Sequence, residues 1–404
     1  MIPRILLFGV LPLVTAPILP APPASTLSAP IPSAGSEPIL DFEGPGMEMD
    51  VSQARLMLDF LDAVSSGDSP GRFLDSLMQA EGTGLIIAQM NLARRVSPDQ
   101  YRQLLQGFME GTRPRIEPVD STRRAARGVE GLLKDVWPAL TWGLTHTSEL
   151  RARVNHLEEL DLYALARKLA NRFLPDSLEG SPGLFAVMGG RAGGAKLDGD
   201  RIYLDVLVYS YHGRRTGEFP TDQDLTRTIA HELHHMGYGP YLTKWANGLN
   251  PTARESLQAR FLSGLLTEGS ATYLISAGRS LAEMREDRAY AGLLDNPGAL
   301  IDQVEAILLD IQEGRIRSEA EFEEATADLV GSWYHSAGSL LLGVIDEAGG
   351  LTEVEEVIRD PRRLLSAYNR AVAALGANAP ARPFGESLAE DVATMGRGPL
   401  SGSR

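Results

Sequence analysis

Three of the chain's seven histidines fall in one run of five residues, His231-Glu232-Leu233-His234-His235. Residues four apart on a helix share a face, so the imidazoles of His231 and His235 can point at one ion. Ring nitrogens bind zinc at about 2.0–2.1 Å. Glu232, one residue on from His231, is turned away from the ion and towards a water bound to it. Zinc lowers the pKa of such a water to about 7. Glu232 can then take its proton as the water attacks a polarised carbonyl. His234 is rotated away from the pair and reads as a packing or surface residue. The chemistry implied is hydrolysis by metal-activated water, with one Zn2+ per chain.

An open catalytic zinc site has three protein ligands. The chain has no cysteine, so the third must be His, Asp or Glu. The extended pattern His-x-x-Gly-x-x-His fails, because Tyr238 and Tyr241 occupy the required positions. Glu255 and Glu268 compete. They are 13 residues apart on one expected helix, or about 220° around it, so both cannot face the metal. Gly264, Leu265, Ala271 and Thr272 give Glu268 a buried face. Pro251, Thr252, Gln258 and Ala259 give Glu255 a wetter one. Glu268 is therefore the expected ligand. A donor for the developing oxyanion is sought in Trp333-Tyr334-His335-Ser336-Ala337-Gly338-Ser339, whose small residues allow close helix packing. Tyr334 and His335 are both candidates. Tyr273 reads as core, His212 as part of an exposed loop, and His146 and His156 as surface or packing residues.

His231-Glu232-Leu233-His234-His235 followed by Glu268-Gly269-Ser270-Ala271-Thr272-Tyr273 resembles the gluzincins, zinc peptidases with two His and one Glu ligand. The longer gap and the surrounding elements are closer to bacterial zinc-dependent peptidase families known only by that description. This resemblance implies a zincin-like core in which the active-site helix follows an edge strand that pairs with extended substrate. In thermolysin-like members an Asp stands four residues after the ligand Glu and orients a ligand His. Thr272 takes that place here, so the groups that orient the ligands must be arranged differently.

The elements that must position these residues are mostly helical. Helical spacing covers 51–108 with a break at Ser65–Gly71, then 122–133, 149–173, 299–314, 319–331, 333–347 and 352–371. A short apolar run, Leu184–Met188, precedes the glycine stretch 189–194, which reads as a hairpin connection. Alternation of Ile202, Leu204, Val206 and Val208 with Tyr203, Asp205 and Leu207 predicts a strand over 201–210. Thr221 caps a helix running to about Met236, where Gly237, Gly239 and Pro240 end it. Asn250-Pro251 opens the next. The fold class expected is mainly α with a small β-sheet (α+β).

Arg4, the apolar run Ile5–Leu19 and the small residues after it read as a signal peptide over 1–29, cleaved after Ala24 or Ala29. The run has 15 residues and contains Pro12 and Pro17, too few and too broken for a membrane span of about 20. No stable membrane anchor is expected once it is removed, and export to the periplasm or beyond is. A Pro-rich linker over 30–46, a helical region over 47–175, a zincin-like catalytic region over 176–375 and a tail over 376–404 follow. With 43% apolar and 23% charged residues the chain has a globular composition. Its net charge of −15 argues against nucleic acid as a partner. The expected partner is a peptide or protein substrate, and oligomeric state is not legible. Two other functions fit the same motif: a zinc-binding module that binds peptides without cleaving them, and a zinc hydrolase of a non-peptide amide or ester. Glu232 argues against the first, since a purely structural site has no use for that carboxylate.

Overall fold

The computed structural model describes residues 48–396, apart from 95, 122, 179, 181, 191–193, 198–200, 217–219, 250, 287, 327–328 and 330–331. The expected signal peptide and linker, and the last residues of the tail, lie outside the described residues. Among the described residues the protein is mainly helical, with one four-stranded sheet in the order β1-β2-β4-β3: β1 (Met49–Asp50), β2 (Gly183–Val187), β3 (Gly194–Leu197) and β4 (Arg201–Asp205). Helices fill most of the chain between Ser52 and Asn171 and again from Val206 onward. Among the described residues no helix is long and apolar enough to cross a membrane.

The sheet differs from the sequence expectation in connection and position. β1–β2 and β2–β4 are parallel, and only β3–β4 is antiparallel. The glycine stretch therefore does not join β2 to β4 as a hairpin. It leads into β3, which reverses the chain so that β4 can lie beside β2 in the same direction. β4 is interior, and the edge beside it is β3, which lies against the helix that carries the histidines. The strand also stops at Asp205. There Asp205 Oδ1 accepts from Val208 N at 2.9 Å and Oδ2 from Gly190 N at 2.5 Å. This buried carboxylate caps the helix α1 (Val206–Thr216) and ties it to the loop after β2. Val206 and Val208 continue the apolar alternation into a helix because the cap, not the pattern, sets the boundary. His212 consequently lies in α1 rather than in a loop.

Helix α2 (Asp222–Gly248) begins at a complete capping box, with Thr221 Oγ1 accepting from Asp224 N and Asp224 accepting from Thr221 N. It runs through Pro240 to Gly248 instead of ending near Met236. A proline inside a helix loses one backbone bond and costs about 3 kcal/mol. Side-chain anchoring offsets this: Tyr238 and Leu242 are fully buried, Tyr238 Oη donates to Ile358 O at 2.9 Å and Tyr241 Oη to Arg359 O at 2.6 Å.

Helix α3 (Ala253–Ser270) is capped by Thr252 in a second capping box with Glu255, not by Asn250, which lies outside the described residues. It continues into a wider π-helical stretch, Ala271–Ser276. Helix α4 (Ser332–Arg359) covers the 333–347 pattern and the start of the 352–371 one, and bends at Gly350, whose φ of 74° interrupts it; the second pattern ends in a separate helix, Leu364–Leu375. Residues Glu386–Ala393 form a further helix, and Leu388, Val392 and Met395 are buried.

Candidate metal centre

Two helix crossings bring the chemistry together. α2 packs on the π-helical stretch that follows α3, and α3 packs on α4. The second crossing is backbone against backbone. A Cβ on Gly269 would fall 2.5 Å from Gly338 Cα, and one on Gly338 would overlap the Leu265 carbonyl oxygen. Ser339 Oγ donates to Gly269 O at 3.3 Å across the same contact. Glu268 stands beside Gly269 and His335 lies one turn before Gly338, so this close approach sets their separation.

The ligand atoms of His231, His235 and Glu268 all lie within 4.8 Å of one another. Glu268 Oε2 is 3.3 Å from His235 Nε2 and 4.0 Å from His231 Nε2. Two ligands at about 2.0–2.1 Å from a tetrahedral zinc are separated by roughly 3.3 Å; the Glu268–His235 pair stands at that spacing, and the Glu268–His231 pair, at 4.0 Å, would have to draw in to share the ion. The donor set fits as well. Burial, helped by the neighbouring His235, holds His231 well below the usual imidazole range, leaving it a neutral donor. Burial works to raise the Glu268 carboxyl, but His235, His335 and His231 outweigh it and keep the group ionised. His231 Nδ1 lies 3.1 Å from Ser276 Oγ, an orienting contact of the kind that fixes metal-binding imidazoles.

His335 is the third imidazole at this centre. Its Nε2 lies 3.3 Å from Glu268 Oε2, and its ring centre is 5.7 Å from that of His231. Its Nδ1 lies 2.6 Å from Thr272 Oγ1. Tyr334 points elsewhere: it packs on Gly264 among Phe261 and Trp333, and its hydroxyl bonds Thr326. Of the two oxyanion-donor candidates, only His335 thus has a polar atom directed at the ligand set. Glu232 is buried on α2 between the two ligand histidines, near Tyr203 and Tyr209.

The remaining candidates have structural partners. Glu255 sits in the first turn of α3, where it also accepts from Gly396 N at 2.9 Å. His234 is fully buried against Tyr238, and burial lowers its pKa to about 3. Tyr273 Oη donates to Asp346 at 3.0 Å, and Arg279 holds the same carboxylate at both oxygens. His146 stacks on Trp142, and His156 pairs with Asp222 at 2.9 Å. Sequence reasoning missed Ser276 and the partner of Thr272. A small polar residue in the apolar stretch Ala271–Ile275 and beyond is a faint signal, because a π-helical turn shifts which residues face the metal.

A family model described as "Putative zinc dependent peptidase (DUF5700)" matches residues 143–376, more than half of the chain, and this span includes all of His231, Glu232, His235, Glu268, Thr272, Ser276 and His335. No curated protein matches the chain, and no solved structure does.

Proposed function

The chain belongs to this zinc-dependent peptidase family, and from that premise we propose that it hydrolyses peptide bonds in peptides or proteins outside the cytoplasm. The observation that carries the reading is the convergence of His231, His235 and Glu268 ligand atoms, with the buried carboxylate of Glu232 on the same helix between the two histidines. His231, His235 and Glu268 would hold one zinc ion, which when bound supplies Lewis acidity to a water and to the scissile carbonyl. Glu232 takes the proton from the attacking water and passes it to the leaving amine. His335 donates towards the oxygen on which charge develops, a role its Nε2 can fill beside the ligand carboxylate. The edge strand β3, alongside α2, offers main-chain groups to an extended substrate, a role that β4 cannot fill from the interior of the sheet. The apolar N-terminal segment after Arg4 supports export.

Substitution Glu232→Gln tests the reading. It keeps shape and helix but removes the base, so zinc content and Tm should stay near parental values. Cleavage of peptides, read by mass spectrometry on a peptide library, should fall by about 10²–10⁴-fold. Parental turnover in this variant would refute the role of Glu232. A parent that binds peptides and cleaves none would mark a binding module, and cleavage of non-peptide amides or esters alone would mark a different hydrolase.

A further inference from the structure

The π-helical stretch Ala271–Ser276 is pinned to α4 on both sides. Just before it, Gly269 meets Gly338 backbone against backbone. Just after it, the chain is tied to Asp346, which lies on α4 about two turns beyond Gly338. Arg279 Nε donates to Asp346 Oδ2 at 2.8 Å, Arg279 Nη2 to Oδ1 at 2.6 Å, and Tyr273 Oη to Oδ2 at 3.0 Å. The Asp346 side chain is only 7% exposed, so this two-pronged pair is shielded from competing water. Ser276, the partner of His231, lies between the two pins. The backbone at the second pin is strained. Ala277 N donates to Thr272 O at 2.8 Å and closes the last wide turn, and Arg279 N reaches back to Tyr273 O at 2.7 Å. Gly278 and Arg279 make this reversal in the left-handed region, with φ of 56° and 68°. Glycine adopts that conformation freely. A residue with a Cβ is held there only where its surroundings fix it.

We propose that Arg279, Asp346 and Tyr273 form a clamp that positions the ligand His231 from a distance: the clamp holds the turn after the π-helical stretch in its strained form, and that turn sets Ser276 Oγ 3.1 Å from His231 Nδ1. The three are positioning residues that act through Ser276. The strain accounts for the residue type. Glycine at 279 would satisfy the backbone, but it would leave the end of a π-helical turn, a rare and weakly bonded form, without an anchor. Arginine strains the backbone and supplies the planar fork that reaches both oxygens of Asp346. Tyr273 ties the middle of the stretch to the same carboxylate, so the turn and the helical segment before it move together or not at all.

The inference rests on the zinc-peptidase reading for its functional meaning, but its test needs no substrate. Arg279→Gly removes the clamp and relieves the strain together, so Tm should stay near the parental value. Zinc affinity of the full chain, read by competition titration with zinc alone, should nevertheless fall about 10-fold. Hydrogen exchange of the metal-free protein should speed up at the amides of residues 277 and 279 and stay slow along α2. Arg279→Ala, which keeps the strain and loses the pair, should lower both Tm and zinc affinity. Asp346→Asn should reproduce the local exchange. The path through Ser276 is tested by a double-mutant cycle. Ser276→Ala combined with Arg279→Gly should bind zinc no more weakly than Ser276→Ala alone, because the contact that the clamp positions is already gone. Affinity losses that multiply in the double variant would overturn the proposal, since the clamp would then act elsewhere. Parental zinc affinity in Arg279→Gly would overturn it too, as would unchanged exchange at residues 277 and 279. A cycle that holds in a parent that cleaves no peptide would instead refute the peptidase reading and leave the clamp standing.

Discussion

Substitution Gly269→Ala probes the crossing on which the whole centre depends. The new methyl would sit 2.5 Å from Gly338 Cα and from its carbonyl carbon, and 2.9 Å from Ser339 N. Ordinary carbon contacts are about 3.5–4.0 Å, so α3 and α4 must part by roughly 1 Å. Neither partner is the end of a flexible side chain, and backbone cannot swing aside. Overpacking of this kind costs typically about 1–3 kcal/mol, against which the helix propensity of Ala over Gly returns at most about 1. The same displacement carries Glu268 away from His335, and a misplacement of about 1 Å can lower activity by about 10²-fold. Urea unfolding of the metal-free protein should show a net loss of about 1–2 kcal/mol, and kcat/KM on any cleaved peptide should fall by one to two orders of magnitude. Gly84→Ala is the matched control. Gly84 is an exposed helical glycine with nothing within 4 Å of an added Cβ, so it should gain roughly 0.5–1 kcal/mol. A Gly269→Ala protein as stable and active as the parent would refute the argument that backbone contact sets the geometry.

Glu268→Ala should abolish stoichiometric zinc binding, measured by metal analysis, while Glu255→Ala should keep its zinc and lose only a helix cap, about 0.5–2 kcal/mol in unfolding experiments. The reverse pattern would move the ligand to the shorter spacing. Ser276→Ala removes the partner of His231 Nδ1 and should weaken zinc affinity about 10–100-fold in a competition titration, with the fold intact by circular dichroism. Asp205 gives a pH signature. Burial raises its pKa from 3.8 to about 7 against the pull of its backbone N–H partners. A carboxyl raised in the folded state favours folding below its unfolded pKa, and that contribution is lost as pH rises through about 7. Between pH 4 and 7 the parent should therefore lose stability relative to Asp205→Asn, by up to about 4 kcal/mol at 1.36 kcal/mol per pH unit. Parallel unfolding profiles across that range would show that Asp205 is not the titrating group.

The sequence by itself determined the helical class, the cap at Thr221, the histidine pair on one face of α2 and the expectation that Glu268, rather than Glu255, lies beside that pair. Each of these depends on local periodicity. Four-residue spacing places His231 and His235 on one face whatever the rest of the chain does. Gly264, Leu265, Ala271 and Thr272 mark a buried face before any partner helix is known. Tertiary structure decided what periodicity cannot encode. Whether β4 lies at an edge or inside the sheet depends on where β3 returns, and Pro240 is tolerated because Tyr238 and Tyr241 find carbonyls more than a hundred residues away. Tyr334 and His335 are neighbours in sequence and equal candidates there. A helix turns about 100° per residue, so only the crossing at Gly269 and Gly338 determines which of them meets Glu268. The hydrogen-bond partners at the centre, Ser276 for His231 and Thr272 for His335, depend on a π-helical stretch that changes the angular step after Ser270, and no residue in Ala271–Ser276 announces that change in advance.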